Sequence, residues 1–313
     1  MESNVLTPRK ESFAGHIWKY KALYSMLVLP FIYFIVFKYL PMFGNILAFR
    51  RYRPGMGPWG TEWVGLQYFE MFIQDERFWR AFRNTLVTSL WNIVVNFPLP
   101  IFFAIILNEA RLKWFKKIVQ TVSYMPRFIS TVVIIAMLGE LLSPSSGLLN
   151  RFLVNVFGIE PIYFVNLPEW FRPIYVFTDS WQFTGWTAII YLAAISNINA
   201  DLFEAAEIDG AGRIQKIFNV TIPSIMPTIM VMFILQIGRM LTLGFEKVLL
   251  LYTPNNSEVS DILDTLVYRT GLAGGMPNYS YATAIGLFSS IIGLVLVTSA
   301  NFTSRKLTGE SIY

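Results

Sequence analysis

The chain has 313 residues, of which 54% are hydrophobic and 14% charged, with a mean hydropathy of +0.49, more apolar surface than a soluble domain of this length can hide. It has no cysteine and a single histidine, His16, in a basic N-terminal stretch, which excludes a disulfide framework, a thiolate metal site and any histidine-based metal site or catalytic triad within the chain. The formal net charge of +5 marks the ends of apolar segments rather than a nucleic-acid-binding patch, so the expected class is an all-α, multi-pass membrane protein with one membrane domain over residues 1–313.

A helix that crosses a bilayer needs about 20 mostly apolar residues. In chain order the segments 22–43, 82–107, 118–142, 174–196, 224–250 and 280–303 meet this requirement and predict six transmembrane helices. The first is too long for a signal-peptide core and no small-residue cleavage site follows it, so it is expected to be retained. An even number of crossings puts both termini on one side. Arg9, Lys10, Lys19 and Lys21 precede the first segment, Arg111, Lys113, Lys116 and Lys117 crowd the second connection, Arg213 and Lys216 lie in the fourth, and Arg305 and Lys306 follow the last. All fall on one side, which the positive-inside rule makes cytoplasmic. Arg50, Arg51, Arg53, Arg77 and Arg80 in the first outer connection oppose it, diluted by Glu62, Glu70, Asp75 and Glu76.

The outer connections are longer and carry Gly, Pro and aromatic residues. Leu148, Phe152 and Val156 recur at helical spacing in one of them, which predicts a short interfacial helix. Docking of an extracellular binding protein and simple packing over the helix ends are both open readings of these loops.

Polar groups at membrane depth usually face a cavity or one another. In the fourth segment Asp179, Gln182, Phe183 and Trp186 fall at i, i+3, i+4 and i+7, one helical face. Trp186 and Trp181 can stack on sugar rings, while Gln182 and Asp179 can exchange hydrogen bonds with hydroxyls. In the fifth segment Gln236, Arg239 and Met240 share a face, and Arg239 could attract an anionic sugar. Other readings stand beside these: Asp179 at the outer membrane boundary, Arg239 paired with a carboxylate of a partner subunit, Trp181 as an interfacial anchor. Arg127, after Pro126, fits an arginine that reaches the cytoplasmic interface, with a place lining an inner gate as the alternative, and Lys38 fits a side chain that snorkels to water.

Between the fourth and fifth segments lies EAAEIDGAGRIQKIFNVTIPSIMP, a polar stretch stranded between apolar helices, which needs a partner. Asp201 can cap a helix whose first turns carry Glu204 and Glu207, where negative charge is favoured. Ala205 and Ala206 leave a flat face, Gly210 ends the helix or turns the backbone, and Pro223 stops the next short segment. No GxxxxGK[ST] phosphate loop occurs, carboxylates do not pair for acid/base work, and no serine has a histidine partner. The chain reads as a non-enzyme whose energy source lies elsewhere.

The order Glu204-Ala205-Ala206, three residues, Gly210, nine residues, then Val220, Thr221, Ile222 and Pro223 resembles the EAA coupling motif of permease subunits in binding-protein-dependent ABC importers, with Val220 and Ile222 in place of the usual Ile and Leu. FIYFIVFKYLPMFGNILAFRRY, WGTEWVGLQYFEMF, FWRAFRNTLVTSL, LLSPSSGLLN and NYSYATAIGLFSSIIGLVLV resemble a subgroup of carbohydrate permeases often linked to complex or acidic oligosaccharides, so the resemblance covers nearly the whole chain. It implies the six-helix type I importer permease fold in a bacterial cell membrane. It also implies a pore shared with a second permease, two cytoplasmic ATPase subunits that bind ATP and Mg, and an extracellular solute-binding protein. No cofactor is expected in this chain. The coupling role carries over to Glu204, Ala205, Ala206, Asp209, Gly210 and Pro223 in the segment 200–223. Counted from the motif, Asp179, Gln182, Phe183 and Trp186, and likewise Gln236, coincide with positions that contact sugar in maltose-type permeases. The expected function is one half of a pore importing an oligosaccharide. An ABC permease for a non-sugar solute is an alternative. A gradient-driven secondary transporter would need ion-coupling carboxylates, for which only Asp179, Glu140 and Glu246 are near.

Overall fold

Long apolar runs that close their own backbone hydrogen bonds become helices, and the computed structural model, which describes residues 18–55, 57, 62–273 and 275–308, is built almost wholly of them. Arg9, Lys10 and His16 lie outside the described residues. The first helix, α1 (Lys21–Phe34), runs on through a π turn at Ile35–Tyr39 and a 3₁₀ stretch at Phe43–Phe49. Strand β1 (Arg50–Arg51) follows and pairs antiparallel with β2 (Glu62–Trp63). No residue of α1 is buried. A helix apolar on every side and covered on none requires lipid or another protein around it.

Next come α2 (Gln67–Gln74), α3 (Glu76–Asn96) and α4 (Pro98–Glu109). Asp75 caps α3, its Oδ1 accepting from the Arg77 N–H at 2.9 Å, and its Oδ2 accepts from the Tyr281 hydroxyl at 2.8 Å. Burial pushes this carboxyl up, but the hydrogen bonds from Arg77 and Tyr281 outweigh it and hold it below the usual carboxylate range. The apolar stretch expected at 118–142 is two helices, α5 (Lys113–Tyr124) and α6 (Thr131–Leu141), bent by 101°. Pro126 removes a backbone donor in the intervening 3₁₀ turn and Ser130 Oγ caps the second helix at Val133. A short apolar helix, α7 (Leu148–Phe157), precedes α8 (Pro168–Ser196), which packs on α3, α4 and α5.

Then follow α9 (Ala200–Ile208), α10 (Arg213–Lys216), a π turn at Ile217–Thr221, α11 (Ile222–Ser224) and α12 (Met226–Gly238), with a 62° bend between the last two. Pro223 stands one residue before the end of the run Arg213–Ser224, which bends there into α12, so the short segment stops beside it as expected. In the π turns at Ile35–Tyr39 and Ile217–Thr221, though not in a third at Arg269–Ala273, the last i→i−5 bond comes from the residue before a proline, Leu40 to the Ile35 carbonyl and Ile222 to the Ile217 carbonyl. The stretch expected as one helix over 224–250 is interrupted at residues 239–244, between Gly238 and α13 (Phe245–Leu251). Short helices α14 (Ser257–Ser260) and α15 (Leu263–Tyr268) lead to the long last helix, α16 (Tyr279–Thr308).

Three helical runs, Lys21–Phe49, Glu76–Glu109 and Tyr279–Lys306, are long and apolar enough to cross a membrane, and two more count if each bent pair is one span. The 29 residues of α8 are also long enough, about 43 Å, but Thr178, Asp179, Ser180 and Gln182 dilute its apolar character. One core joins Phe72 and Phe78 to Leu263 and Ile285; another joins Phe171 and Tyr175 of α8 to Val248; a third joins Ala104 of α4 to Tyr191, Ile195 and Ile225. The contact of α8 with α5 is tightest at Gly185, where a Cβ would lie 2.2 Å from the Ser123 carbonyl oxygen.

That oxygen belongs to a helix backbone and cannot move aside. Gly185→Ala is expected to destabilise the protein by about 1–3 kcal/mol, checked by the thermal unfolding midpoint of the purified protein in detergent; an unchanged midpoint would show that α5 and α8 slide freely.

Candidate functional site

On α3 the polar residues Ser89, Asn92 and Asn96 recur at i, i+3 and i+7, and on α8 Asp179, Gln182 and Phe183 do the same at i, i+3 and i+4. These two stripes, α12 and the 239–244 interruption enclose a cavity of about 410 Å³. Asp179, Gln182, Phe183, Gln236 and Arg239, singled out from the sequence, all line it, as does Met240. Trp186 does not: it lies one turn further along α8, where its ring meets Phe128 edge-on at 5.8 Å. The i+7 position is on the same face, but the cavity lining on α8 ends at Thr187 and excludes Trp186, which stays exposed beside the 3₁₀ turn at Met125–Phe128. Trp181 is also outside the lining and is 44% exposed.

Arg239 differs from expectation in another respect. Helix α12 ends at Gly238, so Arg239 is its C-cap rather than a residue on a continuing helical face. A cation suits a helix C-terminus, and its exposed side chain makes no ion pair among the described residues.

The centre of the cavity wall is a residue that the apolar count passed over. Lys247 of α13, with a side chain 5% exposed, donates to Asp179 Oδ1 at 2.5 Å. Asn92 Nδ2 donates to Asp179 Oδ2 at 2.7 Å. The ammonium also stands 5.5 Å from the ring centres of both Tyr175 and Phe183, which adds cation–π attraction. The signal available in the sequence was a lysine inside an apolar segment, which demands an acidic partner. Gln182 is buried; its Nε2 donates to the Ile129 carbonyl at 3.2 Å while its Oε1 has no partner. Rings, amides, a free guanidinium and an unmet acceptor together suit a ligand with apolar ring faces, many hydroxyls and an anionic group.

The second candidate region is exposed. Helix α9 is capped by Asn199, whose Oδ1 accepts from the Asp201 N–H at 3.1 Å; Asp201, expected as the cap, instead lies in the first turn. Its charge still faces the positive end of the helix. At the other end Gly210 has φ +77°, the Gly210 N–H reaches the Glu207 carbonyl at 3.0 Å, and the Ala211 N–H reaches the Ala206 carbonyl at 2.8 Å. This is a Schellman cap, so Ala206 and Gly210 are two parts of one device. Glu204, Ala205, Asp209 and Gly210 are exposed, and Leu202, Ile208 and Ile214 present apolar surface beside them. Lys216 bridges to Glu207 at 3.0 Å and ties α10 to α9.

Residues 96–309 match the family described as binding-protein-dependent transport system inner membrane component. Over 293 residues, covering 94% of this chain and 90% of the relative, the chain is 45% identical to the polygalacturonan/rhamnogalacturonan transport system permease protein YteP of Bacillus subtilis (strain 168). It is 39% identical over 313 residues to protein LplB of the same organism, covering 100% of this chain and 98% of that one. A chain in the crystal structure of a bacterial ABC transporter involved in the import of the acidic polysaccharide alginate aligns with a TM-score of 0.86 at 41% identity, covering 95% of this chain and 100% of that chain.

Removing one member of a buried ion pair strands the other charge. Asp179→Asn and Lys247→Met are each expected to cost about 2–3 kcal/mol, and the double variant to lie within about 1 kcal/mol of the parent. Unfolding midpoints of the four proteins measure this; additive losses would mean that the two side chains act independently.

Proposed function

The chain belongs to the binding-protein-dependent transport system inner membrane components, the permease subunits of ABC importers, and from this premise we propose that it forms one half of a pore importing an acidic oligosaccharide. It is a transport subunit and not an enzyme; ATP hydrolysis belongs to a separate subunit. The observation that carries the substrate reading is the convergence of Asp179, Gln182, Phe183, Gln236 and Arg239 on one cavity. Phe183 offers a ring face, Asp179 and the glutamines offer hydrogen bonds to hydroxyls, and Arg239 offers a carboxylate partner. The likeness to an alginate importer and to a polygalacturonan/rhamnogalacturonan permease supports the same substrate class.

The reading extends to the assembly. Six crossings, by α1, α3 with α4, the bent pair α5 and α6, α8, the bent run α10 to α12 and α16, carry the chain through a bacterial cell membrane with both termini cytoplasmic, so that α9 lies on the cytoplasmic side. There Glu204, Ala205, Ala206, Asp209 and Gly210 meet a groove of an ATPase subunit that holds ATP and Mg, and Pro223 marks the return of the chain to the membrane. Two such ATPases serve this chain and a second, homologous permease, against which the uncovered α1 packs. An extracellular solute-binding protein delivers the sugar; the related alginate transporter has been crystallised with an alginate pentasaccharide-bound periplasmic protein, and its chain aligns at a TM-score of 0.87 and 40% identity.

The test is reconstitution of this chain with its second permease, ATPases and binding protein. Loaded binding protein is expected to stimulate ATP hydrolysis with uronic-acid oligosaccharides and not with neutral ones of equal length; stimulation by a neutral sugar alone would replace the substrate class. Gly210→Asp and Glu204→Lys are expected to leave the chain in the membrane but to separate ATP hydrolysis from uptake, at least tenfold in sugar carried per ATP. Normal uptake by both variants would remove α9 from the coupling path.

A further inference from the structure

The bend between α5 and α6 is pinned to α8. On one side of it the Ser123 carbonyl leaves no room for a side chain at Gly185; on the other the Ile129 carbonyl accepts from Gln182 Nε2 at 3.2 Å, and the Phe128 ring meets Trp186 edge-on. Pro126 is buried within the turn, while the next residue, Arg127, is exposed. Among the described residues Arg127 makes no ion pair and no hydrogen bond. Its guanidinium carbon stands 5.1 Å over the ring centre of Phe183. Phe183 lines the cavity, as does Thr131, four residues beyond Arg127. The Lys247 ammonium stands 5.5 Å from the same ring centre, so the aromatic surface of the cavity wall carries two cations.

The two cations are held differently. Lys247 is buried and its ammonium is bound to Asp179, so it stays. Arg127 is held by the ring alone, and a cation–π contact at an exposed site is a weak attraction. A carboxylate is a better partner for a guanidinium, because two parallel N–H···O bonds match the planar group. A sugar ring laid on Phe183 competes with Arg127 for the aromatic surface. If that sugar carries a carboxylate, the displaced guanidinium gains a stronger bond than the one it gives up; a neutral sugar offers it hydroxyls only. We propose that Arg127 is a substrate-binding residue that exchanges its contact with Phe183 for a carboxylate of the oligosaccharide when a sugar ring stacks there, so that the pore favours acidic over neutral sugars. This rests on the acidic-oligosaccharide reading above and adds to Arg239 a second cation, supplied from beside the cavity lining. The exchange asks nothing of the backbone: the turn stays pinned to α8, and only the arginine side chain changes rotamer.

The complete importer is reconstituted in proteoliposomes, made with and without anionic phosphatidylglycerol, with the parent chain, Arg127→Gln or Arg127→Lys. Sugar carried per ATP hydrolysed is measured for a uronic-acid trisaccharide and for its carboxyl-reduced counterpart. Arg127→Gln is expected to carry about tenfold less of the acidic trisaccharide per ATP in both lipid mixtures, and Arg127→Lys, which keeps the charge, to come within about threefold of the parent. Any uptake of the carboxyl-reduced trisaccharide is expected not to fall in Arg127→Gln. An unchanged yield of the acidic trisaccharide overturns the exchange, as does an equal loss in both variants, which would make the role structural, or a loss seen only with phosphatidylglycerol, which would make Arg127 a lipid contact. So does an equal loss for the carboxyl-reduced sugar, or a permease pair that separates on size-exclusion chromatography in Arg127→Gln, which would place Arg127 against the second permease. If the parent importer carries the carboxyl-reduced trisaccharide and not the acidic one, the acidic-substrate reading has failed at the parent, before any variant is compared.

Discussion

A lysine ammonium taken out of water must find a carboxylate or lose its charge, and Lys247 finds Asp179 across the cavity wall. This contact joins α8 to α13 beside the apolar packing of Phe171 and Tyr175 on Val248, and it fixes α13 after the interruption at 239–244. Irregular backbone in a membrane is tolerated where it lines a cavity and where its polar groups have partners. Here Ser89 Oγ donates to the Met240 carbonyl and the Gly244 N–H donates to the Tyr175 hydroxyl, so α3 and α8 supply what the missing helical turn does not. The ion pair, the broken helix and the cavity are one structure, because each removes the cost of the others.

From the cavity the chain leads without a free hinge to the exposed α9. Gln236 stands on α12, α12 meets α11 at a bend packed around the buried Ile225, and the π turn joins α11 to α10. Lys216 on α10 then bridges to Glu207 on α9. Both ends of α9 are locked, by Asn199 at one and by the Gly210 turn at the other. In the proposed coupling role a push on α9 would reach the cavity wall through this continuous run of elements, the physical requirement for transmitting a change between distant sites.

The all-helical class, the short helix at Leu148 and the left-handed turn at Gly210 were legible, since each follows from local composition or spacing. The interruptions were harder. Pro126 and Ser130 announce the break between α5 and α6, but the 239–244 stretch places Met240, Leu241 and Leu243 between its glycines, so an apolar count runs straight through it. Losing that break also hid Lys247, whose partner is 68 residues away. The face containing Asp179, Gln182 and Phe183 was read from helical period alone, and the same period included Trp186 because periodicity does not tell which residues of a face the cavity reaches. Asn199 and Asp201 both satisfy the chemistry of a cap, and only the backbone decides between them.

Charge in the cavity is balanced: Asp179 and Glu246 face Lys247 and Arg239. A site built for tight binding of an acidic sugar would omit the two carboxylates, but a transport site must also let go. With Lys247 held by Asp179, Arg239 is the cation left to meet a substrate carboxylate, and Glu246 nearby limits how strongly it does so. In the proposed reading the neutral amides of Asn92, Asn96, Gln182 and Gln236, which line the cavity, would carry the hydroxyl contacts, each weak enough to exchange with water. In the same reading, specificity for an anionic ring chain would come from the geometry of one free guanidinium beside an aromatic face, and release from the opposing charges that the fold keeps in the same wall.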